Sequence, residues 1–372
     1  MTPDQSRRRR EAARRHRRAR RRALAIGALA VAILAAVVVM ALAKAHTHGS
    51  STASAGRGRA HAHTSAAVAA AANRAVAAGA NPAPTHSPIG LPLGKPPLTL
   101  TGLGDPQQDR VHIAFYTPPR AGLLFNLDTG QVLWQSNPYT RLRIASLTKM
   151  MTALLSVESS PPDAPVLVTR QAIQSAGSKV GVLPLGKHVR LESMLYGLLL
   201  PSGNDAAVAL AQHVSGSVSA FVTRMNARAA QLGMGCTHYS SPSGYFDQYN
   251  FSCAADLAVL AHVDLAQPRI ASITRTYTAE LPFPIKGGHL YLYNNNPLLI
   301  YHYPGLTGLK TGYTLAAGKC LVATAERNGV RLGVVLLHSP DPGTQASYLL
   351  NRGFEGIYHQ PPVPTPPIPA GE

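Results

Sequence analysis

The sequence predicts an α/β (α+β) fold: an antiparallel sheet flanked by helices, with an adjoining helical region. Three observations carry that expectation. Strand-like runs joined by a turn open the folded part, helical spacing fills its middle, and strand-like runs joined by a second turn close it. Strands at both ends of a helical block are most simply united in one antiparallel sheet with the helices packed beside it. The folded part is read as 109–358, roughly 250 residues, enough for one large domain or two small ones.

Taken in order, Gly122-Leu123-Leu124-Phe125-Asn126-Leu127 is the first strand-like run, Asp128-Thr129-Gly130 a turn, and Val132-Leu133-Trp134 the returning arm. After Ser146 the period changes, and Met150, Leu154 and Val157 fall on one helical face. Further helices are expected from Leu191 to Leu200, from Ala206 to Val214, and along Phe221, Met225, Ala229 and Leu232 up to Gly233. Ala254 to His262 is the last clear one. Cys320 to Thr324, the Asn328-Gly329 turn and Arg331 to Leu337 then return to strand.

Residues 1–22 hold eleven arginines against Asp4 and Glu11, which places +9 of the formal net charge of +18 in this tail. Residues 23–43 follow as 21 positions without a charge. As a helix rising ~1.5 Å per residue they span roughly 30 Å, one bilayer core. Arginines before the run, and only Lys44 directly after it, keep 1–22 cytoplasmic and send the rest outward. The expectation is a signal anchor, single-pass in the cell membrane, with the folded domain on the periplasmic or extracellular face. The run exceeds the roughly 7–15 residues of a secretory signal core. Ala41-Leu42-Ala43 has the form of a cleavage site, and cutting there would leave a secreted protein. The basic tail suits anionic membrane lipid and not nucleic acid, because block charge without aromatic side chains offers nothing to read bases with.

Residues 44–108 are mostly Ala, Gly, Ser, Thr, Pro and His, and read as a flexible linker. His46, His48, His61, His63 and His86 lack Cys or acidic partners at fixed spacing, so no metal site is expected. Residues 359–372 read as a Pro-rich tail.

Three short elements carry the chemistry: Ser146-Leu147-Thr148-Lys149, Ser202-Gly203-Asn204 and Lys310-Thr311-Gly312. Each alone has an ordinary reading, as a helix cap, a turn or an edge strand. Together they describe serine acyl transfer with lysine in place of the usual histidine. Ser146 and Lys149 lie nearly one helical turn apart on one face. A lysine takes a hydroxyl proton only where burial or nearby positive charge lowers its pKa. If Ser146 starts the helix, its own N–H is open to an oxyanion. Lys310 and Thr311 offer a cation and a hydroxyl to a carboxylate, and Gly312 allows a substrate backbone close to the strand.

With these motifs the chain resembles the serine D-alanyl-D-alanine carboxypeptidases, the low-molecular-mass penicillin-binding proteins, which share their fold with serine β-lactamases. Asp128-Thr129-Gly130 before Leu133-Trp134, Ile144 to Ala153, Leu199 to Ala207, Ser241-Pro242-Ser243-Gly244, Ser252 to Ala258 and Gly308 to Thr314 all match that pattern, over about residues 110–345. The resemblance implies a β-lactamase/DD-peptidase-like domain and an acyl-enzyme mechanism with no cofactor or metal. It implies Ser146 as nucleophile, Lys149 as general base and Ser202 as proton relay to the leaving nitrogen. Asn204 would hold the substrate's peptide carbonyl or side chain, Lys310 would tune Ser202 and Lys149, and Thr311 would grip the terminal carboxylate. The N–H groups of Ser146 and Tyr313 would form the oxyanion hole beside Gly312. Partners would be peptidoglycan stem peptides ending in D-Ala-D-Ala, β-lactams as covalent inhibitors, and membrane lipid.

The chain departs from that pattern in its N-terminal anchor, where some relatives use a C-terminal amphipathic one, and in ending on a proline tail instead of an additional β domain. An exported location permits one disulfide among Cys236, Cys253 and Cys320, the first two being closest in sequence, but spacing does not fix the pairing. Cys320 reads as a buried small hydrophobe. Carboxypeptidase activity is the leading reading, and a cross-link-cutting endopeptidase is the alternative. A β-lactamase comes next, disfavoured because Glu280 is the only glutamate between Asn204 and Lys310. A catalytically inactive wall-binding protein comes last, since a pure binder has no need of nucleophile and base together.

Overall fold

A computed structural model describes residues 83–363 with the exception of Phe246. The early hairpin is β1 (Ala121–Asn126) and β2 (Val132–Ser136), and the late block is β3 (Leu306–Thr314), β4 (Gly318–Arg327) and β5 (Val330–Ser339). They form one five-stranded sheet in the order β2-β1-β5-β4-β3, antiparallel at every pairing. β1 meets β5 with Ala121 opposite Leu337 and Asn126 opposite Leu332, so the two ends of the domain join in the interior of the sheet. β3 is left on an edge. The β4–β5 turn is Asn328-Gly329, both at positive φ (45° and 76°), the geometry that a two-residue hairpin turn requires.

Every residue of β1 is buried, as is the middle of β4 and of β5. Both faces of the sheet are covered, which explains why these strands read as continuous apolar runs and not as an alternation. Leu123, Phe125, Val322, Val335 and Leu337 point into the helical side, while Leu124, Trp134, Leu321, Val334 and Leu336 point to the opposite face.

The helices are α1 (Thr148–Ser159), α2 (Leu191–Leu199), α3 (Asn204–Ser215), α4 (Val218–Gln231) and α5 (Ala254–Leu265). The sequence places one apolar face on α1. In the structure Thr148 through Ser156 are all buried, because α2, α3, α4 and α5 surround the helix. Its polar side chains are satisfied inside: Thr152 Oγ1 donates to the Pro242 carbonyl (2.7 Å) and Ser156 Oγ to the Thr152 carbonyl (2.7 Å). The sequence reading ends the domain on strand and misses α6 (Pro342–Asn351). That helix has an Asp341 N-cap accepting from Thr344 N and a proline in its first turn, and it lays Ala346, Leu349 and Leu350 on the second face of the sheet. The start signal was present; a helix of ten residues behind a strong β run did not stand out from it.

The boundaries expected at 22 and 43 fall outside the described residues, as do the 23–43 run, the linker up to residue 82 and the tail beyond 363. Among the described residues no single helix is long and apolar enough to cross a membrane. Residues 83–108, read as the last part of the linker, lie on the domain instead. Leu98 is buried, Leu100 and Leu103 pack against the core, Gly94 N donates to the Ala230 carbonyl, and Thr101 bridges to Gln131. Three leucines spaced along an extended Pro-rich strip are enough to seat it, although they give no periodic signal. Removing residues 83–108 should therefore lower the melting temperature. Losing the burial of Leu98 alone is worth about 2 kcal/mol, roughly 4–8 °C for a domain of this size, and an unchanged Tm by calorimetry would show the strip to be only draped on the surface.

Candidate active site

Ser146 sits in a 3₁₀ turn, Ala145–Leu147, directly before α1, which begins at Thr148 and not at Ser146 as the sequence suggests. Ala145 is held at a φ of 46°, a left-handed backbone that a non-glycine residue adopts only where its surroundings impose it. Lys149 follows in the first turn of α1 with its whole side chain buried.

Lys149 Nζ donates to Ser146 Oγ (2.8 Å), to Asn204 Oδ1 (2.7 Å) and to the Ser243 carbonyl (3.0 Å). Burial, reinforced by the nearby charge of Lys310 and opposed by Asp205, holds its pKa well below the ordinary lysine value. A neutral amine keeps two N–H bonds and one lone pair. Asn204 Oδ1 and the Ser243 carbonyl are pure acceptors and take the two N–H bonds, so the lone pair is left facing the Ser146 hydroxyl. The arrangement can remove the proton of that hydroxyl.

Asn204 opens α3. Its Oδ1 accepts from Lys149 while its Nδ2 donates to the Ala176 carbonyl (2.6 Å) and its backbone N–H to the Ser178 carbonyl (2.7 Å). Asn204 thus faces Lys149 and the 176–178 segment. Asp205 fixes the next residues of the same loop, accepting from Val180 N (2.9 Å) and Gly181 N (3.1 Å). Ser202 lies at a φ of 66°, and its buried Oγ finds no hydrogen-bond partner among the described residues.

The third motif is on the sheet edge. Lys310, Thr311, Gly312 and Tyr313 stand opposite Val322, Leu321, Cys320 and Lys319 of β4, which leaves the other side of β3 to the Ser146 turn. A side chain at position 312 would place its Cβ 2.9 Å from the Ile144 carbonyl oxygen and 3.2 Å from the backbone nitrogens of Ser146 and Leu147. Glycine is what lets the strand approach the turn this closely. Lys310 is buried, donates to the Thr311 carbonyl (3.1 Å), and is pulled by burial to about 7. A cavity of about 330 Å³ is lined by Ser146, Ser178, Ser202, Thr311, Gly312 and Tyr313 among others, with Lys149, Asn204 and Lys310 buried outside its lining. All eight residues singled out from the sequence come together here.

The sequence reading missed what holds Lys149. Asn250, fully buried, accepts from Ser240 N (3.1 Å) and Ser241 N (3.4 Å) and donates to Ser240 Oγ (3.0 Å) and Ser241 Oγ (3.1 Å), fixing the turn that presents the Ser243 carbonyl. Cys236 and Cys253 are joined in a disulfide across the base of the same segment, and Cys320 is buried on β4 outside it. With Asp256 these two cysteines form a close group of metal-ligand types, but both sulfurs are committed to each other. Of the histidines weighed from the sequence, His86 alone is described, and it is exposed.

Residues 118–341 match the family model described as D-alanyl-D-alanine carboxypeptidase. The chain belongs to that family. A D-alanyl-D-alanine carboxypeptidase of Bacillus subtilis is 35% identical over 63% of this chain and 62% of its own length, so this chain spans less than two thirds of that relative. A protein of Pseudomonas aeruginosa named D-alanyl-D-alanine endopeptidase is 33% identical over 59% of this chain and 75% of its own. Among solved structures, a D-alanyl-D-alanine carboxypeptidase from Mycobacterium tuberculosis matches with a TM-score of 0.62 and 33% identity, over 70% of this chain and 98% of that one. The antiparallel sheet flanked by helices is the fold shared by this family and the serine β-lactamases.

Two outcomes follow from the geometry of the carboxypeptidase-family site. Gly312→Ala should cut the rate of Ser146 acylation by about a hundredfold, the cost of misplacing an oxyanion donor, with circular dichroism unchanged; a rate equal to wild type would mean the close approach is immaterial. Lys310 concerns stability. From about 7 up to the ordinary 10.5 the unfolded chain binds a proton that the folded chain does not. The lysine's destabilising contribution is therefore complete below that window and fades as pH rises through it. Lys310→Met should raise the Tm at neutral pH and below, with the gain shrinking toward about pH 10, while it slows acylation. A lower Tm at neutral pH would contradict this.

Proposed function

We propose that this chain is a serine-type D-Ala-D-Ala carboxypeptidase that releases the terminal D-alanine from peptidoglycan stem peptides through an acyl-enzyme. One observation carries the reading: a wholly buried amine with a lowered pKa, its two N–H bonds spoken for, lies 2.8 Å from the Ser146 hydroxyl. In the proposed cycle Lys149 takes the Ser146 proton as Oγ attacks the carbonyl of the penultimate D-alanine. Negative charge on the carbonyl oxygen is met by the N–H groups of Ser146 and Tyr313. Ser202, whose hydroxyl has no hydrogen-bond partner among the described residues, relays the proton to the departing nitrogen, and the C–N bond breaks. Thr311 holds the leaving residue's carboxylate, Lys310 keeps the region positive, and water then hydrolyses the ester. Asn204 acts chiefly on Lys149, to which its Oδ1 is already bound. β-Lactams would acylate Ser146 in the same way. The Arg-rich tail and the apolar 23–43 run support a membrane-anchored enzyme acting outside the cytoplasm.

An endopeptidase cutting cross-links uses the same groups, and a 33% identical relative bears that name. Incubating the full-length protein with a D-Ala-D-Ala-ended pentapeptide and with a cross-linked dimer separates the two. Free D-alanine from the first and an intact dimer support the carboxypeptidase, whereas monomers from the dimer with no free D-alanine would replace it by the endopeptidase. Penicillin should add its mass to Ser146, and Ser146→Ala should abolish the adduct.

Acylation should be slow in acid, where Lys149 is protonated, and rise through its lowered pKa to a plateau. A flat profile from about pH 5 to 9, with chemistry rate-limiting, would rule out lysine as the titrating base.

A further inference from the structure

A second, smaller cavity lies beside the first. Arg120, Arg143, Phe251, Ala317 and His338 are among its walls, and its volume of about 50 Å³ suits one small polar group. Cys320 separates the two. It lines the first cavity, and its Sγ lies 3.9 Å from the Arg143 carbonyl oxygen and 3.7 Å from that of Ala317, both residues of the second. Three peptide units part Arg143 from Ser146, so their Cα atoms are at most ~11 Å apart.

The charge of this cavity is one-sided. Among the described residues its lining includes Arg120, which is exposed, and the half-buried Arg143 and His338, but no acidic residue. No ion pair or side-chain hydrogen bond engages Arg120 or Arg143 among the described residues. The backbone around it is built with some cost. His338 adopts a φ of 50°, and Gly318 opposite leaves room for its ring, since a Cβ there would lie 2.8 Å from His338 Nδ1. Arg120 is clipped from both sides: its N–H donates to the His338 carbonyl (3.4 Å), and its own carbonyl accepts from Asn137 Nδ2 (3.0 Å), with Asn137 itself at a φ of 46°. Left-handed backbone at non-glycine residues persists where the surroundings hold it, and it concentrates at binding sites.

We propose that this cavity is a subsite for a carboxylate on the substrate peptide, upstream of the D-Ala-D-Ala end that occupies the first cavity. The inference rests on the function proposed above. A planar carboxylate matches the fork of a guanidinium, fits the volume, and lies within the reach that one to three extended residues allow. The subsite selects among substrates and takes no part in bond making or breaking.

The test uses full-length protein and acetylated pentapeptides ending in D-Ala-D-Ala, with glutamate or glutamine at each of the three preceding positions in turn. At one position the glutamate peptide should show a KM about tenfold lower than its glutamine twin at equal kcat, the worth of a charge-assisted hydrogen bond. The double variant Arg120→Gln, Arg143→Gln should bring the two KM values together and leave kcat for the glutamine peptide unchanged. Penicillin labelling of Ser146 at the wild-type rate shows that the variant is folded. Equal KM values at all three positions in the wild type would overturn the subsite. So would inorganic phosphate binding that depends on the two arginines without any glutamate preference, which would make the cavity a phosphate site. If no peptide is hydrolysed, the function proposed above fails separately, and calorimetric binding of the same pairs to Ser146→Ala decides the subsite: a tenfold glutamate preference lost in the arginine variant supports it, and equal affinity overturns it.

Discussion

The burial of one lysine amine organises this structure. Taking Lys149 out of water is unfavourable unless polar partners replace the water it leaves, and three segments supply them: the adjacent Ser146 turn and, from far along the chain, the start of α3 and the Ser241–Gly244 turn. Two of these segments are in turn held by polar contacts of their own, Asp205 pinning the 180–181 loop beside α3 and Asn250 pinning the 240–241 turn. The helical region therefore converges on the lysine as much as the lysine depends on it. The same contacts that make burial tolerable also decide which direction its lone pair faces.

Lys310 is the second buried cation of the region, on the sheet instead of a helix. Burial alone lowers Lys310, and the nearby charge of Lys310 adds to burial in lowering Lys149. Such a pair works against stability. The fold bears it because the sheet that carries Lys310 is buried on both faces by apolar side chains.

Much of this was legible in the sequence where local chemistry is strong. The Asp128–Gly130 and Asn328-Gly329 turns, the apolar runs of β1, β4 and β5, and the three motifs all stood out because each depends on residues close in the chain. What was not legible depends on tertiary contact. α1 gave a one-sided pattern because its other faces carry Thr152 and Ser156, whose hydroxyls are satisfied by carbonyls that no local pattern reveals. The Ser243 carbonyl is invisible for the same reason, being a main-chain atom that any residue type supplies. Asn204 was expected to hold a substrate; that its Oδ1 accepts from Lys149 and its Nδ2 donates to the Ala176 carbonyl depends on tertiary contacts that no local pattern reveals. The strip at 83–108 resembled a linker by composition, and Leu98 found its place only through the surface that the rest of the chain had built.

The pairing of β1 with β5 has a kinetic consequence. The first strand to leave the ribosome cannot complete its ladder until nearly the last residues of the domain are available, since Ala121 waits for Leu337. Contacts this far apart in sequence make sheet formation a late, slow event. Whatever route delivers the polypeptide, β1 and its apolar neighbours spend synthesis and transit without their partner, exposed to chaperones and to other nascent chains. The order of strands in the sheet thus favours maturation after the whole domain has arrived, when Ser146, Lys149 and the strand beside them can come together.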